Sequence, residues 1–214
     1  RARLIATHAS LGEARPGLPP ERGAAGQVSW GSHDGPERPS TSHLSIVDRF
    51  GNAVAMTTSI ESAFGSRRMT AGGYLLNNQL TDFSFVPVAA GSPVANRVEG
   101  GKRPRSSMAP VIVYDRAGRV HLVAGSAGGS AIINHVAKTL IAILDWRLDV
   151  QQAVALPNFG SRNGPTELER DTPSAGLAPK LAALGHEVRI GDQTSGVHVI
   201  LRTPRGWAGA ADPR

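Results

Sequence analysis

Thr41 is a candidate nucleophile because of where it stands in the sequence. It follows a stretch, residues 11–40, in which Gly and Pro occupy eleven of thirty positions, and it precedes a regular apolar pattern. Such a composition is typical of a linker or mobile tail. If the chain is cut before Thr41, the new α-amine lies beside the hydroxyl and can act as its general base, which is one way to activate a weak oxygen nucleophile.

A second candidate site is the glycine-rich turn at residues 125–130, with the sequence Gly-Ser-Ala-Gly-Gly-Ser. It follows a predicted strand and opens a long predicted helix. Backbone N–H groups at a helix start lack intrahelical partners, and adjacent glycines let a ligand approach them closely. Two interpretations stay open at this point: an anion or oxyanion site, or a tight strand-to-helix turn without a ligand.

Several other chemistries have no basis in the sequence. The 214 residues contain no Cys, which excludes thiol nucleophiles, disulfides and cysteine zinc sites. There is no P-loop or HExxH motif, and the carboxylates do not cluster at metal-ligand spacing. The formal charge is +6, but the basic residues are scattered and aromatic residues make up 5%, so the pattern does not favour a nucleic-acid partner. No apolar run has the length of a membrane span.

Hydrophobic periodicity predicts the elements that position these residues. Two β-hairpins are expected, one with its turn at 49–52 and one joining strands at 111–114 and 120–124. Apolar residues at three-four spacing predict a buried-face helix over 130–146. The further elements expected are helices at 149–156 and 177–184 and strands at 187–190, 197–201 and 207–210. Hairpins with helices grouped between them indicate an α+β layered domain rather than alternating βαβ units.

From Thr41 to the C-terminus, about four-fifths of the chain, the motifs resemble in order the small subunit of γ-glutamyltransferases (γ-glutamyltranspeptidases). The segments that carry the resemblance are 41–48, 51–54, 64–66, 75–84, 101–110, 125–130 and 209–214. The resemblance implies two parts. Residues 1–40 would be the tail of the large subunit, a mobile linker before a cleavage site, and residues 41–214 the catalytic portion of the small subunit.

The resemblance also implies a fold and an activity. The fold is that of N-terminal-nucleophile hydrolases, an α+β four-layer αββα sandwich. The precursor would cut itself between Ser40 and Thr41, and Thr41 would then attack the γ-amide of a γ-glutamyl compound such as glutathione. The acyl group would pass to water or an amino acid. The implied partner is the chain's own large subunit, with no cofactor or metal, in the periplasm or outside the cell.

Catalytic roles follow from the resemblance residue by residue. Thr41 matches the nucleophile, and Gly128 and Gly129 match the pair whose N–H groups bind the oxyanion. Ser59 stands where the family has a Thr whose hydroxyl assists the nucleophile, and Ser keeps that hydroxyl.

Substrate-binding roles are implied in the same way. Gln79 and Asp82 match the residues that hold the substrate α-amino group, and Ser106 and Ser107 match the pair that binds its α-carboxylate. Glu61 departs from the family, which usually has Asn there, and it adds a negative charge to the substrate site. We therefore expect an altered substrate preference.

Two further expectations concern the pocket and the alternatives. The stretch between Ser84 and Pro104 is shorter than in relatives with a lid, which predicts an open pocket that admits bulkier donors.

The alternative functions are a glutaryl- or cephalosporin-type acylase of the same superfamily, which Glu61 favours, and a non-catalytic homologue that stays uncut at Ser40–Thr41.

Overall fold

The computed structural model describes residues 5–14 and 41–214. Most of the predicted tail and linker, and Ser40 of the predicted cleavage site, lie outside these residues. The described chain forms two compact units, the first with residues 5–12, 41–59 and 107–214 and the second with residues 13–14 and 60–106. This division concerns packing, and the boundary expected at Thr41 stays a prediction.

The described residues contain eleven strands and three α-helices. The strands are β1 Thr41–Val47, β2 Ala53–Ser59, β3 Val88–Ala89, β4 Ser92–Pro93, β5 Val111–Tyr114, β6 Val120–Gly125, β7 Phe159–Gly160, β8 Thr166–Glu169, β9 Val188–Gly191, β10 His198–Thr203 and β11 Gly206–Ala211. The helices are α1 Ile132–Leu144, α2 Val150–Ala155 and α3 Ala178–Ala183. Short 3-10 turns occur at Gln79–Asp82, Gly129–Ala131 and Pro173–Leu177. Both predicted hairpins and all three predicted helices are confirmed, with ends that differ by a few residues.

The first unit is built in layers. The β1–β2 hairpin packs on an antiparallel sheet with the strand order β11-β10-β6-β5, and α1 and α2 pack on the other face of that sheet. The α+β class is therefore confirmed, and the described residues of this unit provide a helix layer and two sheet layers. None of the helices in the described chain has the length and apolar character needed to cross a membrane.

The core lies between the four-stranded sheet and the helices. Its buried members are Leu122, Ala124, Ala142, Ile143, Val150, Ala153, Val154, Val197 and Val199. Side chains alternate along β6, so that Leu122 and Ala124 enter this core while Gly125 faces β1. One strand thus connects the helix layer to the hairpin that begins at Thr41.

The third sheet of this unit contains one parallel strand pair, which is compatible with the expected α+β organisation. Its strand order is β7-β8-β9, and β8 pairs parallel with β9 across a connection that contains α3. The sequence of β8, Thr-Glu-Leu-Glu, has a single apolar residue, so its pattern did not indicate a strand. Because β8, α3 and β9 form a single short crossover, the layered α+β organisation of the chain is unchanged.

The second unit consists mainly of loops held by hydrogen bonds. It contains the two-residue strands β3 and β4, the 3-10 turn Gln79–Asp82, and an isolated bridge between Met69 and Leu75. Phe83 and Val94 are its buried apolar residues among those described. Polar contacts rather than a large core therefore hold the loops that carry most predicted substrate ligands.

Candidate active site

Thr41 and Ser59 face each other at the open end of the first hairpin. Thr41 is the first residue of β1 and pairs in register with Ser59, the last residue of β2. Directly opposed residues of an antiparallel pair have Cβ atoms about 4.5–5.5 Å apart. Both residues are half-buried. The structure thus brings the predicted nucleophile beside the predicted assisting hydroxyl.

The hairpin is closed at its other end by a turn that fixes this register. The carboxylate of Asp48 accepts hydrogen bonds from the backbone N–H groups of Phe50 (2.8 Å) and Asn52 (2.9 Å). Gly51 takes a positive φ of 87°, which glycine adopts without strain. Because a slip by one residue would turn every side chain to the opposite face, this turn keeps Thr41 and Ser59 opposite each other.

The glycine turn leads from β6 into the helix layer. Gly128 has φ 129° and Gly129 has φ 57°, values that other residues rarely adopt. The carbonyls of these glycines accept bonds from the N–H groups of Ala131 and Ile132 as the helix begins. The N–H groups of a first helical turn have no intrahelical acceptor, so they are suited to an oxyanion.

Two observations show the direction in which β1 runs along β6. At one end, the ring of His43 lies so close to Gly125 that a Cβ on Gly125 would fall 2.1 Å from the ring Cε1. At the other end, Gly51 and Arg119, which precede β2 and β6, line one cleft. Thr41, two residues before His43, therefore lies at the end of β6 where the glycine turn begins.

His43 is buried between the two sheets and stays neutral. Its Nδ1 lies 2.8 Å from the Thr57 hydroxyl and its Nε2 lies 3.1 Å from the Ser45 hydroxyl. His198 donates from Nδ1 to the His43 carbonyl at 2.8 Å. Burial, with a smaller contribution from the charge of His198, lowers the pKa of His43 to about 4. At neutral pH, His43 therefore packs between the sheets and forms hydrogen bonds as an uncharged side chain.

A second loop, residues 194–196, supports the glycine turn. The N–H of Ala127 donates to the Gly196 carbonyl, and the N–H of Gly196 donates to the Ser126 hydroxyl, both at 3.3 Å. The Thr194 carbonyl lies 3.0 Å from where a Cβ on Gly128 would stand. Residues 194–196 therefore restrict the conformation of the turn.

This supporting loop is attached to the C-terminal residues. The Ser195 hydroxyl donates to the Asp212 carboxylate, which also pairs with Arg214 at 2.8 Å. Arg214 pairs in turn with Glu169 at 2.7 Å. Burial acts to raise the pKa of Asp212, but hydrogen bonds from Ser195 and Arg214 outweigh it and hold the pKa below its usual value. Asp212 is therefore a buried carboxylate that remains charged.

A buried lysine extends the same network into α1. The Lys138 ammonium donates to the Leu156 carbonyl (2.6 Å) and to the side-chain oxygen of Asn158 (2.9 Å), and Asn158 donates to Ser195 at 2.8 Å. Burial, assisted by the positive charge of Arg214, lowers the pKa of Lys138 to about 8. These polar groups connect α1, the supporting loop and the C-terminus.

In the second unit, two of the predicted substrate ligands, Gln79 and Asp82, lie in one hydrogen-bonded cluster, and a third, Ser106, is adjacent to it in sequence. The Gln79 amide donates to the Asp82 carboxylate within a single 3-10 turn. The Asn96 amide donates to the Asp82 carbonyl at 2.6 Å and its oxygen accepts from the Arg105 N–H at 2.9 Å. Ser106 follows Arg105 directly, so Asn96 holds the Gln79–Asp82 turn and Ser106 close together.

Glu61 belongs to the same unit and is held firmly. It has a positive φ of 72°, which is uncommon for a residue with a side chain. Its Oε2 accepts from the Ser62 hydroxyl and from the Asn78 amide, both at 2.6 Å. Because Asn78 directly precedes Gln79, the Glu61 carboxylate lies on the side of the cluster predicted to bind the amino group.

Sequence reasoning assigned no role to His43, Ser126, His135, Ser195 or Asp212. The signal for His43 was its i, i+2 spacing from Thr41, which puts both side chains on one face of a strand. The other contacts join distant segments, and no local pattern predicts them. Among the described residues, no group of three His, Asp or Glu side chains could hold a metal ion.

Comparison with known sequences covers nearly the whole chain. Residues 2–214 match the family model described as gamma-glutamyltranspeptidase. The glutathione hydrolase proenzyme of Escherichia coli strain K12 is 38% identical over 192 residues, 83% of this chain and 32% of the relative. That of Bacillus subtilis strain 168 is 34% identical over 148 residues, 69% of this chain and 24% of the relative. The chain thus spans about a third or less of these relatives' length.

Solved structures share the fold. An acivicin-inhibited gamma-glutamyltranspeptidase, whose C-terminus is reported to have critical roles in autoprocessing and catalysis, has a TM-score of 0.72 at 34% identity over 80% of this chain and 97% of its own. The Pseudomonas nitroreducens gamma-glutamyltranspeptidase complexed with L-DON gives 0.70 at 33%, over 80% and 94%. Cephalosporin acylase from Bacillus halodurans gives 0.68 at 23%, over 80% and 32%, a likeness of fold alone.

Proposed function

Because this chain belongs to the gamma-glutamyltranspeptidase family, we propose that it is the nucleophile-bearing part of a γ-glutamyltransferase-type amidohydrolase. The observation that carries the proposal is the position of Thr41, opposite Ser59 and at the end of β6 where the glycine turn begins. The donor is a γ-glutamyl amide such as glutathione, and the acceptor is water or an amino acid. The relatives named glutathione hydrolase proenzyme support this donor.

The reaction proceeds by acyl transfer through Thr41. The Thr41 oxygen attacks the γ-carbonyl carbon while its proton passes to the Thr41 α-amine, with the Ser59 hydroxyl beside it. The negative charge that develops on the carbonyl oxygen is bound by the N–H groups of Gly128 and Gly129. The C–N bond then breaks, the leaving amine takes the proton, and an ester on Thr41 remains. Water or an amine then attacks the ester carbonyl carbon, one of its own protons passes through the α-amine to the Thr41 oxygen, and the ester C–O bond breaks to release glutamate or a new γ-glutamyl amide.

A heterodimer formed from one precursor is part of the proposal. Cleavage between Ser40 and Thr41 frees the α-amine that the mechanism needs. The outer face of the β1–β2 hairpin supports a partner, because Ile46, Val54 and Met56 are apolar and 50%, 45% and 45% exposed. The remaining precursor, the predicted large subunit, is the partner that covers this face. Its helices complete the predicted αββα sandwich.

The substrate glutamyl group is bound through its two charged ends. Gln79 and Asp82 hold the α-ammonium, because a carboxylate and an amide oxygen both accept its hydrogen bonds. Ser106 and Ser107 donate hydroxyl groups to the α-carboxylate. The hydrogen bonds that join Asp82, Asn96 and Arg105 support this assignment, since they keep the two sets of ligands close in space.

The experiment that tests the function uses the full-length precursor containing this chain. Intact masses are measured after purification and incubation for the wild type, Thr41→Ala and Thr203→Ala, the last changing a hydroxyl in β10. We expect the wild type and Thr203→Ala to yield a fragment that begins at Thr41 and to release amine from a γ-glutamyl anilide. Thr41→Ala stays whole and inactive. A wild type that stays whole and matches Thr41→Ala would instead identify the non-catalytic homologue.

A further inference from the structure

Ser126 and His135 meet at the glycine turn, and the mechanism above uses neither. We propose that they are positioning residues that hold the carbonyl side of the Ala127–Gly128 peptide, so that the Gly128 N–H points at the oxyanion. The inference rests on the proposed function, because it takes Gly128 as an oxyanion donor. It adds the groups that orient this donor.

The side chain of Ser126 is completely buried. Its hydroxyl donates to the Ala127 carbonyl at 2.5 Å and accepts from the Gly196 N–H at 3.3 Å. The three groups form a chain that runs from the supporting loop to the Ala127 carbonyl. Hydrogen bonds in such a chain polarise one another.

The planar peptide unit links the Ala127 carbonyl to the oxyanion donor. In a planar trans peptide, the C=O and the N–H point to opposite sides. The carbonyl of Ala127 and the N–H of Gly128 belong to one peptide unit, so a group that holds this carbonyl also sets the direction of that N–H. Polarising the carbonyl makes the N–H a stronger donor to a developing negative charge.

His135 lies in the first turn of α1, against the glycine turn. The residue is 2% exposed, and a Cβ on Gly128 would lie 2.8 Å from both Cε1 and Nδ1 of its ring. Neither ring nitrogen has a hydrogen-bond partner among the described residues, although buried polar atoms nearly always have one. The neutral ring therefore has an N–H group without an acceptor in the described part of the chain, and it lies next to Gly128, whose N–H is the proposed oxyanion donor.

The Ala127 carbonyl is the acceptor for this donor. Burial lowers the pKa of His135, and the Ala127 carbonyl acts in the opposite direction, so the ring is neutral and keeps one N–H that can donate. Hydrogen bonds of a catalytic site often shorten only when substrate is bound. In the acyl-transfer complex, His135 donates to the Ala127 carbonyl alongside Ser126, and the peptide is held from two sides.

The test uses the processed full-length protein and the variants Ser126→Ala, His135→Phe and His135→Asn. We expect Ser126→Ala and His135→Phe to lower kcat about 10- to 100-fold with KM unchanged within twofold, since only the transition state carries the oxyanion. His135→Asn keeps an N–H donor and recovers part of kcat. Two variants serve as controls. Ser84→Ala removes a buried hydroxyl that donates to the Val86 carbonyl, and His186→Phe removes another imidazole. We expect both controls to retain the wild-type kcat.

A second readout separates positioning from a merely structural role. The γ-boronic acid analogue of glutamate is expected to form a tetrahedral adduct on Thr41, whereas L-norvaline has the same α-ammonium and α-carboxylate but no oxygen at the γ-carbonyl position. The inhibition constant of the boronic acid should rise by the same factor as kcat falls, while that of L-norvaline stays unchanged. Equal weakening of both inhibitors, or an unchanged kcat in the two variants, overturns the inference. An inactive wild type contradicts the proposed function itself, so the two failures are distinguishable.

Discussion

At the scale of the residue, we propose that Glu61 influences which donor the pocket prefers. Its carboxylate is fixed by Asn78 and Ser62, and Asn78 is adjacent to Gln79. The sequence alone suggested a change of preference, with a glutaryl-type acylase as the alternative. The hydrogen bonds now put this charge on the side that is proposed to bind the ammonium, which a glutaryl group lacks.

Replacing Glu61 by Asn should therefore weaken γ-glutamyl donors selectively. A hydrogen bond to a charged group contributes about 1.5–3 kcal/mol, so we expect kcat/KM for a γ-glutamyl anilide to fall at least about tenfold. The value for a glutaryl anilide should stay within twofold. Glu99→Gln, which removes a carboxylate paired with Arg97 and Lys102, is the control. A wild type that prefers the glutaryl donor would support the acylase alternative.

At the scale of the element, the parts that could be predicted are those with a local signal. The hairpins and α1 have clear alternation or three-four spacing, and the structure confirms them. β8 has no such signal because its side chains are mostly charged. The contacts of Ser195 with Asp212 and of His43 with Gly125 join segments far apart in sequence, so only the folded chain reveals them.

The contact between β1 and β6 gives the stability of this protein a defined pH dependence. The pKa of His43 is about 4 in the folded chain, against 6.5 for an ordinary histidine. Between these values the unfolded state binds more protons, so acid favours unfolding; the stabilisation is complete above pH 6.5 and decreases as the pH falls toward 4. The difference in pKa corresponds to roughly 3 kcal/mol.

We expect His43→Gln to flatten this dependence while leaving the other titrating groups in place. The measurement is the free energy of unfolding by urea at pH 7 and pH 4.5, and the difference between the two should shrink relative to the wild type. Part of the difference should remain, because burial lowers the pKa of His135 as well. His186→Gln is the control. An unchanged difference in His43→Gln would show that His43 is not the group that titrates.

At the scale of the whole molecule, the exposed apolar face of the β1–β2 hairpin connects the nucleophile to its proposed partner. The residues of each strand alternate, so those at 43, 45 and 47 face the four-stranded sheet while those at 44 and 46 face outward. Leu44 pairs with Met56 and Ile46 with Val54, which makes the outward face continuous. A partner on this face would hold the strand that begins at Thr41 from its second side.

Making this face polar should therefore loosen the processed heterodimer while leaving this chain folded. Val54 and Met56 are 45% exposed, and burying the exposed part of each contributes on the order of 1 kcal/mol to association. For Val54→Thr with Met56→Thr, we expect the two subunits to separate at lower urea in native mass spectrometry. Ile190→Thr, an equally exposed position on β9, should dissociate as the wild type does. If the urea concentration at which half of the heterodimer dissociates is the same for the double variant and for Ile190→Thr, the partner does not bind this face. A lower midpoint would show that the strand carrying Thr41 is held between the four-stranded sheet and a second chain, which keeps the nucleophile aligned with the glycine turn.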